Sequence, residues 1–229
     1  MKVLIVEDDR DTAEVVKESL VAEHHVVEIA PDGADGSFLA RNYEYDAIVL
    51  DYSLPKKDGL AVCREVRDAG RKTPIIFLSS TEDPETKVAA FKDGADDYVT
   101  KPFSLKELSA RLQAVTKRGS GVVQTVFQID DLIMNMDTHT ITRGGKDIQL
   151  TRKEFSLLEY LMRNPGIVLS RAAIMEHVWT ADRDPFSNTV EAHMSNVRRK
   201  INAGGRPDLI ANIAGRGYMM DVPERLKRL

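Results

Sequence analysis

Three short, uninterrupted apolar runs mark the first half of the chain: Val3-Leu4-Ile5-Val6, Ala47-Ile48-Val49-Leu50 and Ile75-Ile76-Phe77-Leu78. Branched residues with no polar position between them suit strands buried on both faces, as in a parallel sheet, although periodicity alone does not separate such a run from a buried helix. His25–Ile29 and Tyr98–Thr100 predict two weaker strands. Helical stripes fill the gaps. Ala13, Val16 and Leu20 form one, and Leu60, Cys63 and Val66 form another after Asp58-Gly59. Leu105, Leu108, Leu112 and Val115 form a third, with Ser104 placed as N-cap and Glu107 three residues on. Strands alternating with helices over residues 1–118 predict an α/β fold: a doubly wound five-stranded parallel sheet with right-handed crossovers.

Past Arg118-Gly119-Ser120-Gly121, a short flexible joint by composition, the period changes. Val126–Ile129, Leu132–Met136, Thr140–Arg143 and Lys146–Gln149 predict short antiparallel strands, the last two joined at Gly144-Gly145. Thr151-Arg152-Lys153-Glu154 is a capping box. Its helix carries Phe155, Leu158, Tyr160, Leu161 and Met162 and stops at Asn164-Pro165-Gly166. Ser170 opens a second helix, through Val178-Trp179. A third shows Val190, Met194, Val197 and Ile201 at core spacing, opposite Asn188, Ala192, Ser195 and Arg199. Leu209–Met220 reads as two short strands around Gly215-Arg216-Gly217.

Composition adds a contrast between the halves. The whole chain carries a net charge of −4. Residues 1–120 hold 17 Lys+Arg against 23 Asp+Glu, and residues 121–229 hold 15 against 13. Two domains with different partners are expected. One cysteine, Cys63, excludes an internal disulfide and suits a reducing compartment. No apolar stretch approaches a membrane span, and the opening apolar run is too short for a signal peptide, so a cytoplasmic, soluble setting without membrane contact is expected.

In doubly wound sheets ligands bind beyond the carboxyl ends of the strands. Those positions hold Glu7-Asp8-Asp9, Asp51, Ser79-Ser80 and Lys101. Carboxylates converging on one rim repel and need a balancing charge. A hard divalent cation supplies it, Mg²⁺ being the natural choice where phosphate is handled. An aspartate can attack phosphorus to form an acyl phosphate, with a lysine and a hydroxyl stabilising the phosphoryl oxygens.

Val6-Glu7-Asp8-Asp9, Leu50-Asp51-Tyr52-Ser53-Leu54-Pro55 with Asp58-Gly59, and Gly94-Ala95-Asp96-Asp97-Tyr98-Val99-Thr100-Lys101-Pro102-Phe103 make residues 1–118 resemble the receiver domain of two-component response regulators, a flavodoxin-like fold. The resemblance implies that Asp51 accepts a phosphoryl group from a sensor histidine kinase. It implies that Glu7, Asp8, Asp51 and the backbone carbonyl of Ser53 hold Mg²⁺. Ser79 takes the place of the switch hydroxyl, where threonine is more usual, and Tyr98 that of the switch aromatic. Asp9 matches the start of the first helix, and the Lys101–Pro102 bond is cis in the family. The face of the fourth helix, fifth strand and fifth helix is implied as a dimer interface through Lys87 with Glu107, Asp97 with Arg111, and Asp96 with Arg118. On phosphorylation Ser79 moves inward and Tyr98 rotates into the vacated space.

Leu150-Thr151-Arg152-Lys153-Glu154-Phe155, Pro165-Gly166-Ile167-Val168-Leu169-Ser170-Arg171, Val178-Trp179, Val197-Arg198-Arg199-Lys200-Ile201 and Gly215-Arg216-Gly217-Tyr218 make residues 124–223 resemble the winged helix-turn-helix effector domain of the OmpR/PhoB class. Residues 119–123 would be the linker and 224–229 a C-terminal tail. The resemblance implies that the helix from about Ser187 to Ala203 enters the major groove of promoter DNA. Glu191, Ala192, Ser195 and Asn196 match base-contacting positions. Asn188, Thr189, His193, Arg198 and Arg199 match positions that reach phosphates or flank the groove. The loop 180–186 falls where the family meets RNA polymerase.

Family members often carry arginine where Ser195 and Asn196 stand. Ala214 and Asn212 replace the usual arginine and threonine of the wing, so Arg216 is assigned the wing contact. Fewer cations imply a shallow salt dependence. The reading is a DNA-binding transcription regulator switched at Asp51, with no enzymatic activity beyond its own phosphorylation and slow dephosphorylation. The alternatives are a phosphorylation-independent regulator that uses the receiver only to dimerise, and a phosphatase using Asp51 as nucleophile. The second would need an acid where Ser53 stands.

Overall fold

The computed structural model describes residues 1–119, 125–136, 138–179 and 189–227. The chain divides into two compact units, Met1–Val123 and Gln124–Leu229.

In the first unit β1 (Lys2–Val6), β2 (Val26–Ala30), β3 (Ala47–Asp51), β4 (Ile75–Ser79) and β5 (Asp97–Thr100) alternate with α1 (Arg10–Ala22), α2 (Gly33–Asn42), α3 (Gly59–Asp68), α4 (Pro84–Lys92) and α5 (Leu105–Gly119). The strands form one parallel sheet in the order β2-β1-β3-β4-β5. That is the flavodoxin-like order, whose switch point lies between β1 and β3. Every residue of β1, β3 and β4 is buried, so the unbroken apolar runs are explained by cover on both faces. Alternate side chains serve two cores. Leu4, Val6, Ile48, Leu50, Ile75 and Phe77 pack with Val62, Cys63 and Val66 of α3. Val3, Ile5, Val49, Ile76 and Leu78 pack with Val16 and Leu20 of α1 and Leu108, Leu112 and Val115 of α5.

Aspartates cap the first four helices. Asp9, Asp32, Asp58 and Asp83 each accept a backbone N–H of the first turn. Asp9 therefore takes the helix-start role expected of it, accepting from Thr12 N–H at 2.7 Å.

The second unit opens with an antiparallel sheet of β6 (Val126–Ile129), β7 (Leu132–Asn135), β8 (Thr140–Arg143) and β9 (Lys146–Asp147), paired in chain order. Gly144 and Gly145, with φ of 54° and 74°, make the β8–β9 turn. Paired positive φ values are what a two-residue hairpin demands. Then come α6 (Arg152–Arg163), β10 (Val168–Leu169), α7 (Arg171–Val178), α8 (Thr189–Ile201), β11 (Ile210–Ile213), β12 (Gly217–Met220) and α9 (Pro223–Leu226). Strands β10, β12 and β11 form a small antiparallel sheet. Thr151 and Glu154 form the expected capping box, and Ser170 caps α7 through Ala173 N–H. Val190, Met194, Val197 and Ile201 lie buried against α6 and α7 residues such as Leu158, Leu161 and Ile174.

Several boundaries differ from the sequence reading. Strand β2 begins at Val26 rather than His25, and β9 ends at Asp147 rather than Gln149. Leu60 and Tyr160 are half-buried rather than core. Helix α5 runs through Gly119, where a linker was expected to begin, and α9 occupies part of the expected tail. Helix α8 is described from Thr189 to Ile201, within the expected 187–203.

A buried arginine ties the β6–β9 sheet to the end of α8 and to the segment that follows it. Arg143, fully buried, donates to Asp131 Oδ1 at 2.9 Å, the Ile201 carbonyl at 2.9 Å, Asn202 Oδ1 at 2.6 Å and the Pro207 carbonyl at 2.7 Å. It thus serves as a C-terminal cap for α8, where cations suit the helix dipole. Arg143→Met is expected to lower the stability of this unit by about 2–4 kcal/mol, because several buried acceptors lose their donor together. Urea unfolding followed by the fluorescence of Trp179, the single tryptophan of the chain, measures it directly.

Candidate functional site

The carboxyl ends of β1, β3, β4 and β5 meet at one rim. Val6 is level with Leu50 in the β1–β3 pairing, so Glu7 and Asp51 emerge side by side. One carboxylate oxygen from each of Glu7, Asp8 and Asp51 lies within 4.8 Å of the others. Glu7 and Asp51 are buried, while Asp8 is exposed. Lys101 follows β5 and is anchored by its N–H on the Ser79 carbonyl at 2.7 Å. Its Nζ reaches over to Asp51 Oδ2 at 2.6 Å and Glu7 Oε2 at 2.7 Å. The Lys101–Pro102 peptide is cis, as the resemblance implied.

Burial pushes the Glu7 carboxyl up to about 7, with the Asp51 charge adding to it and Lys101 holding it back. Burial also works against the charge on Lys101, but its bonds to Asp51 and Glu7 prevail and raise it above the usual lysine range. The site is therefore a tight cluster of oxygen donors around a single ammonium group. Such hard oxygen donors suit a divalent cation.

The loop after β3 is held from below. Ser53 N–H donates to Asp51 Oδ1 at 3.0 Å, and Gly59 N–H donates to the Tyr52 carbonyl at 3.0 Å. A Cβ on Gly59 would overlap the Asp51 carbonyl oxygen and crowd the Phe77 ring, which explains a glycine opening α3. Ser79 is buried, and its Oγ accepts from Thr81 N–H at 3.2 Å.

Tyr98 is turned inward. It is 8% exposed, lies 6.5 Å from Phe77 ring to ring, and donates from its hydroxyl to the Thr81 carbonyl at 3.0 Å. Phe77 in turn sits 6.1 Å from Tyr52. Sequence reasoning missed the Tyr52–Phe77 link, because Phe77 reads simply as strand core.

The six charged residues of the α4–β5–α5 face fall as follows. Arg111 bonds Asp97 at 2.9 Å and Glu107 at 2.9 Å within its own chain. Asp96 accepts from Arg67 at 2.9 Å and from Ile75 N–H at 2.8 Å. Lys87 Nζ lies 5.5 Å from the Tyr98 ring centre. The Arg118 side chain lies outside the described residues.

On α8, Ala192, Ser195 and Arg199 are exposed, and Glu191, His193, Asn196 and Arg198 are half-buried. Most of the charges have a neighbour. Glu191 pairs with Arg171 at 3.2 Å, Arg198 with Asp208 at 2.8 Å, and Lys200 with Glu154 at 2.6 Å. Arg199 reaches Asn196 Oδ1 at 3.3 Å. The His193 ring packs on Trp179, with centroids 5.5 Å apart. Arg216 is exposed in the turn between β11 and β12. Asn188, the Thr189 side chain and the loop 180–186 lie outside the described residues. Arg171 and Asp208, which partner the polar face of α8, were not singled out from sequence. Their pairing depends on elements brought together only by folding.

Residues 3–113 match the family described as response regulator receiver domain. Residues 145–220 match the family described as transcriptional regulatory protein, C terminal. The chain is 40% identical over 223 residues to the response regulator MprA of Mycobacterium sp. (strain KMS), covering 96% of this chain and 97% of that one. It is 38% identical over 225 residues to the transcriptional regulatory protein CusR of Escherichia coli (strain K12), covering 98% and 99%. Among solved structures, the receiver domain of the Francisella response regulator 1452 is 36% identical, with a TM-score of 0.50, and covers 52% of this chain and 98% of that one. An acidic pocket at the end of a 2-1-3-4-5 parallel sheet, followed by a unit that matches a regulatory DNA-binding family, places this chain among the two-component response regulators of the OmpR/PhoB class.

Proposed function

We propose that this regulator is switched by transfer of a phosphoryl group from a sensor histidine kinase to Asp51. The observation that carries the reading is the Lys101 ammonium bridging Asp51 and Glu7 at the rim. A carboxylate oxygen of Asp51 is the nucleophile. Lys101 and the Ser79 hydroxyl are the donors for phosphoryl oxygens, offsetting the negative charge that develops in transfer. Glu7, Asp8, Asp51 and the Ser53 carbonyl would hold Mg²⁺, which supplies positive charge to the phosphoryl oxygens when bound. The three carboxylates within 4.8 Å of one another fit that role.

The buried Ser79 and the inward Tyr98 form the switch, and the α4–β5–α5 face carrying Lys87, Asp96, Asp97, Glu107, Arg111 and Arg118 is the surface it serves, as a homodimer interface. The Arg111 pairs with Asp97 and Glu107 already present within one chain are the contacts a second copy would rearrange. We take residues 1–118 as the receiver, 119–123 as the linker, 124–223 as the DNA-binding domain and 224–229 as the tail. Glu191, Ala192, Ser195 and Asn196 read bases. Asn188, Thr189, His193, Arg198, Arg199 and Arg216 flank the groove or meet phosphates. Loop 180–186 is the surface for RNA polymerase. The setting is cytoplasmic; among the described residues no helix is long and apolar enough to cross a membrane.

Incubation with Mg²⁺ and a small phosphodonor is expected to add one phosphoryl group, read by intact mass, in wild type and not in Asp51→Asn. Unchanged mass in the folded wild type would leave two readings, a pocket that takes phosphoryl only from its own kinase or a receiver kept as a dimerisation surface.

Lys101 lowers the pKa of Glu7, so Lys101→Met is expected to carry the Glu7 titration in metal-free protein above the value of about 7. Carbon-13 NMR of the carboxyl groups against pH reports it. The sign for stability follows. A carboxyl whose folded pKa exceeds its ordinary 4.5 contributes stability below pH 4.5 that is lost as pH rises through about 7. The variant extends that loss to higher pH.

Asn196→Ala is expected to change sequence preference, whereas Arg198→Ala weakens selected and random duplexes alike. Affinities of both variants on the two kinds of duplex separate these roles.

A further inference from the structure

A second charged surface lies in the DNA-binding unit, adjoining the C-terminal end of the polar face of α8. A groove of about 650 Å³ runs between the β8–β9 hairpin and the C-terminal end of α8. Its lining includes Arg143, Lys146, Arg199, Lys200 and Arg206, against Asp147 as the one acid among the lining residues. Two of these cations are already matched. Arg143 is buried on Asp131, and Lys200 is bonded to Glu154 at 2.6 Å. Arg206 is half-spent, donating to the Arg143 carbonyl and lying 3.8 Å from Asp131. Arg199 is exposed, with only the neutral Asn196 as a bonded neighbour, and Lys146 is exposed on the hairpin. Among the described residues the groove therefore keeps an excess of positive charge.

Its place on the helix says what that charge meets. Helix α8 has 13 residues, about 20 Å at 1.5 Å per residue. The major groove of B-DNA is about 12 Å wide. A helix that puts Glu191, Ala192, Ser195 and Asn196 on base edges must carry its last turn past the groove wall, and that wall is sugar-phosphate backbone. Arg199 stands on that last turn, and the hairpin brings Lys146 beside it across the groove.

We propose that this groove is a second DNA-backbone site, in which Lys146 of the β8–β9 hairpin, with Arg199, binds phosphate at the outer edge of the site read by α8. The inference rests on the reading of α8 as the helix in the major groove. It assigns a DNA contact to the N-terminal sheet of the unit, and it makes the rigid Arg143 clamp, which joins that sheet to the end of α8, the part that fixes the distance between base reading and this phosphate contact.

The test uses the full-length chain, with wild type, Lys146→Ala and Lys146→Glu, on a duplex selected from a random pool by the wild-type protein and on a random duplex. Lys146 is exposed on the hairpin, so folding is not at stake. Affinity is measured across about 50 to 200 mM salt. One lost phosphate contact is expected to reduce the slope of log K against log salt by about 0.9, so that the affinity lost over that range is about threefold smaller. The change should be equal on both duplexes, larger for Lys146→Glu, and absent on a selected duplex trimmed at the flank that the hairpin would reach. An unchanged slope in both variants overturns the proposal, even if transcription falls, since that outcome would make the groove a protein contact. Failure of wild type to enrich any duplex would overturn the reading of α8 itself, which is a different result from a wild type that selects DNA and variants that match it.

Discussion

The receiver is organised around the need to keep carboxylates together at the edge of a buried sheet. Unit charges about 4 Å apart interact by about 4 kcal/mol at the effective dielectric of a protein surface. Glu7, Asp8 and Asp51 each place an oxygen within 4.8 Å of the others, and two of them are buried. Lys101 relieves the conflict by bonding both buried members at once. The strand order makes this possible. Glu7 and Asp51 leave adjacent strands, and Lys101 comes from β5, two strands from β3, and reaches back over β4. Its backbone is pinned on the last residue of β4. A charge cluster assembled from residues 94 positions apart depends on the register of every strand between them. The geometry of the chemistry and the stability of the sheet edge are therefore one problem with one solution.

The pocket is joined to the α4 side of the unit by packed rings. Tyr52 follows Asp51 directly, Phe77 lies beneath it, and Tyr98 stacks beyond Phe77. The Tyr98 hydroxyl closes on the carbonyl of Thr81, and Thr81 N–H bonds Ser79. Any displacement of Ser79 toward Asp51 must pull on this loop, and so on the hydrogen bond that holds Tyr98. Lys87 sits over the same ring from α4. In the proposed switch, Ser79 and Tyr98 would act through this stack, where close packing favours small, discrete shifts over continuous deformation.

Much of this was legible from residue order, for physical reasons that differ by element. Strands buried on both faces announce themselves as unbroken apolar runs, and residues just after such strands are forced onto the functional rim. The core stripe of α8 was equally plain. Helices α2 and α4 were not. Helix α2 buries Gly33, Gly36, Ser37 and Ala40, and a Cβ on Gly36 would collide with Val6. Its contact is made by small residues, so it leaves no greasy stripe. Helix α4 buries only Ala90. Arg143 was invisible for another reason. A cation at the end of a polar strand reads as a solvated residue, and its acceptors at Ile201, Asn202 and Pro207 lie 58 to 64 positions away. The charged face of α4, β5 and α5 was identified, but sequence did not reveal that Arg111 and Asp96 already have partners in their own chain.

On the proposed reading, the polar face of α8 meets DNA with few surplus cations. Glu191, Arg198 and Lys200 are each matched by a charge from another element, so the helix presents donors and acceptors with little net field. The Glu191–Arg171 and Arg198–Asp208 pairs are largely exposed and worth only about 0–1 kcal/mol, so exchanging those in-chain partners for a phosphate or a base edge costs little. The same exchange gains little from phosphate alone. On the proposed reading, sequence-independent binding would be weakened more than sequence-dependent binding, since only base edges that match Glu191, Ser195 and Asn196 would restore the hydrogen bonds given up. A reader built this way needs affinity from outside its base-reading face. On the proposed reading, the cations beside the last turn of α8 and the pairing of two receivers would supply it.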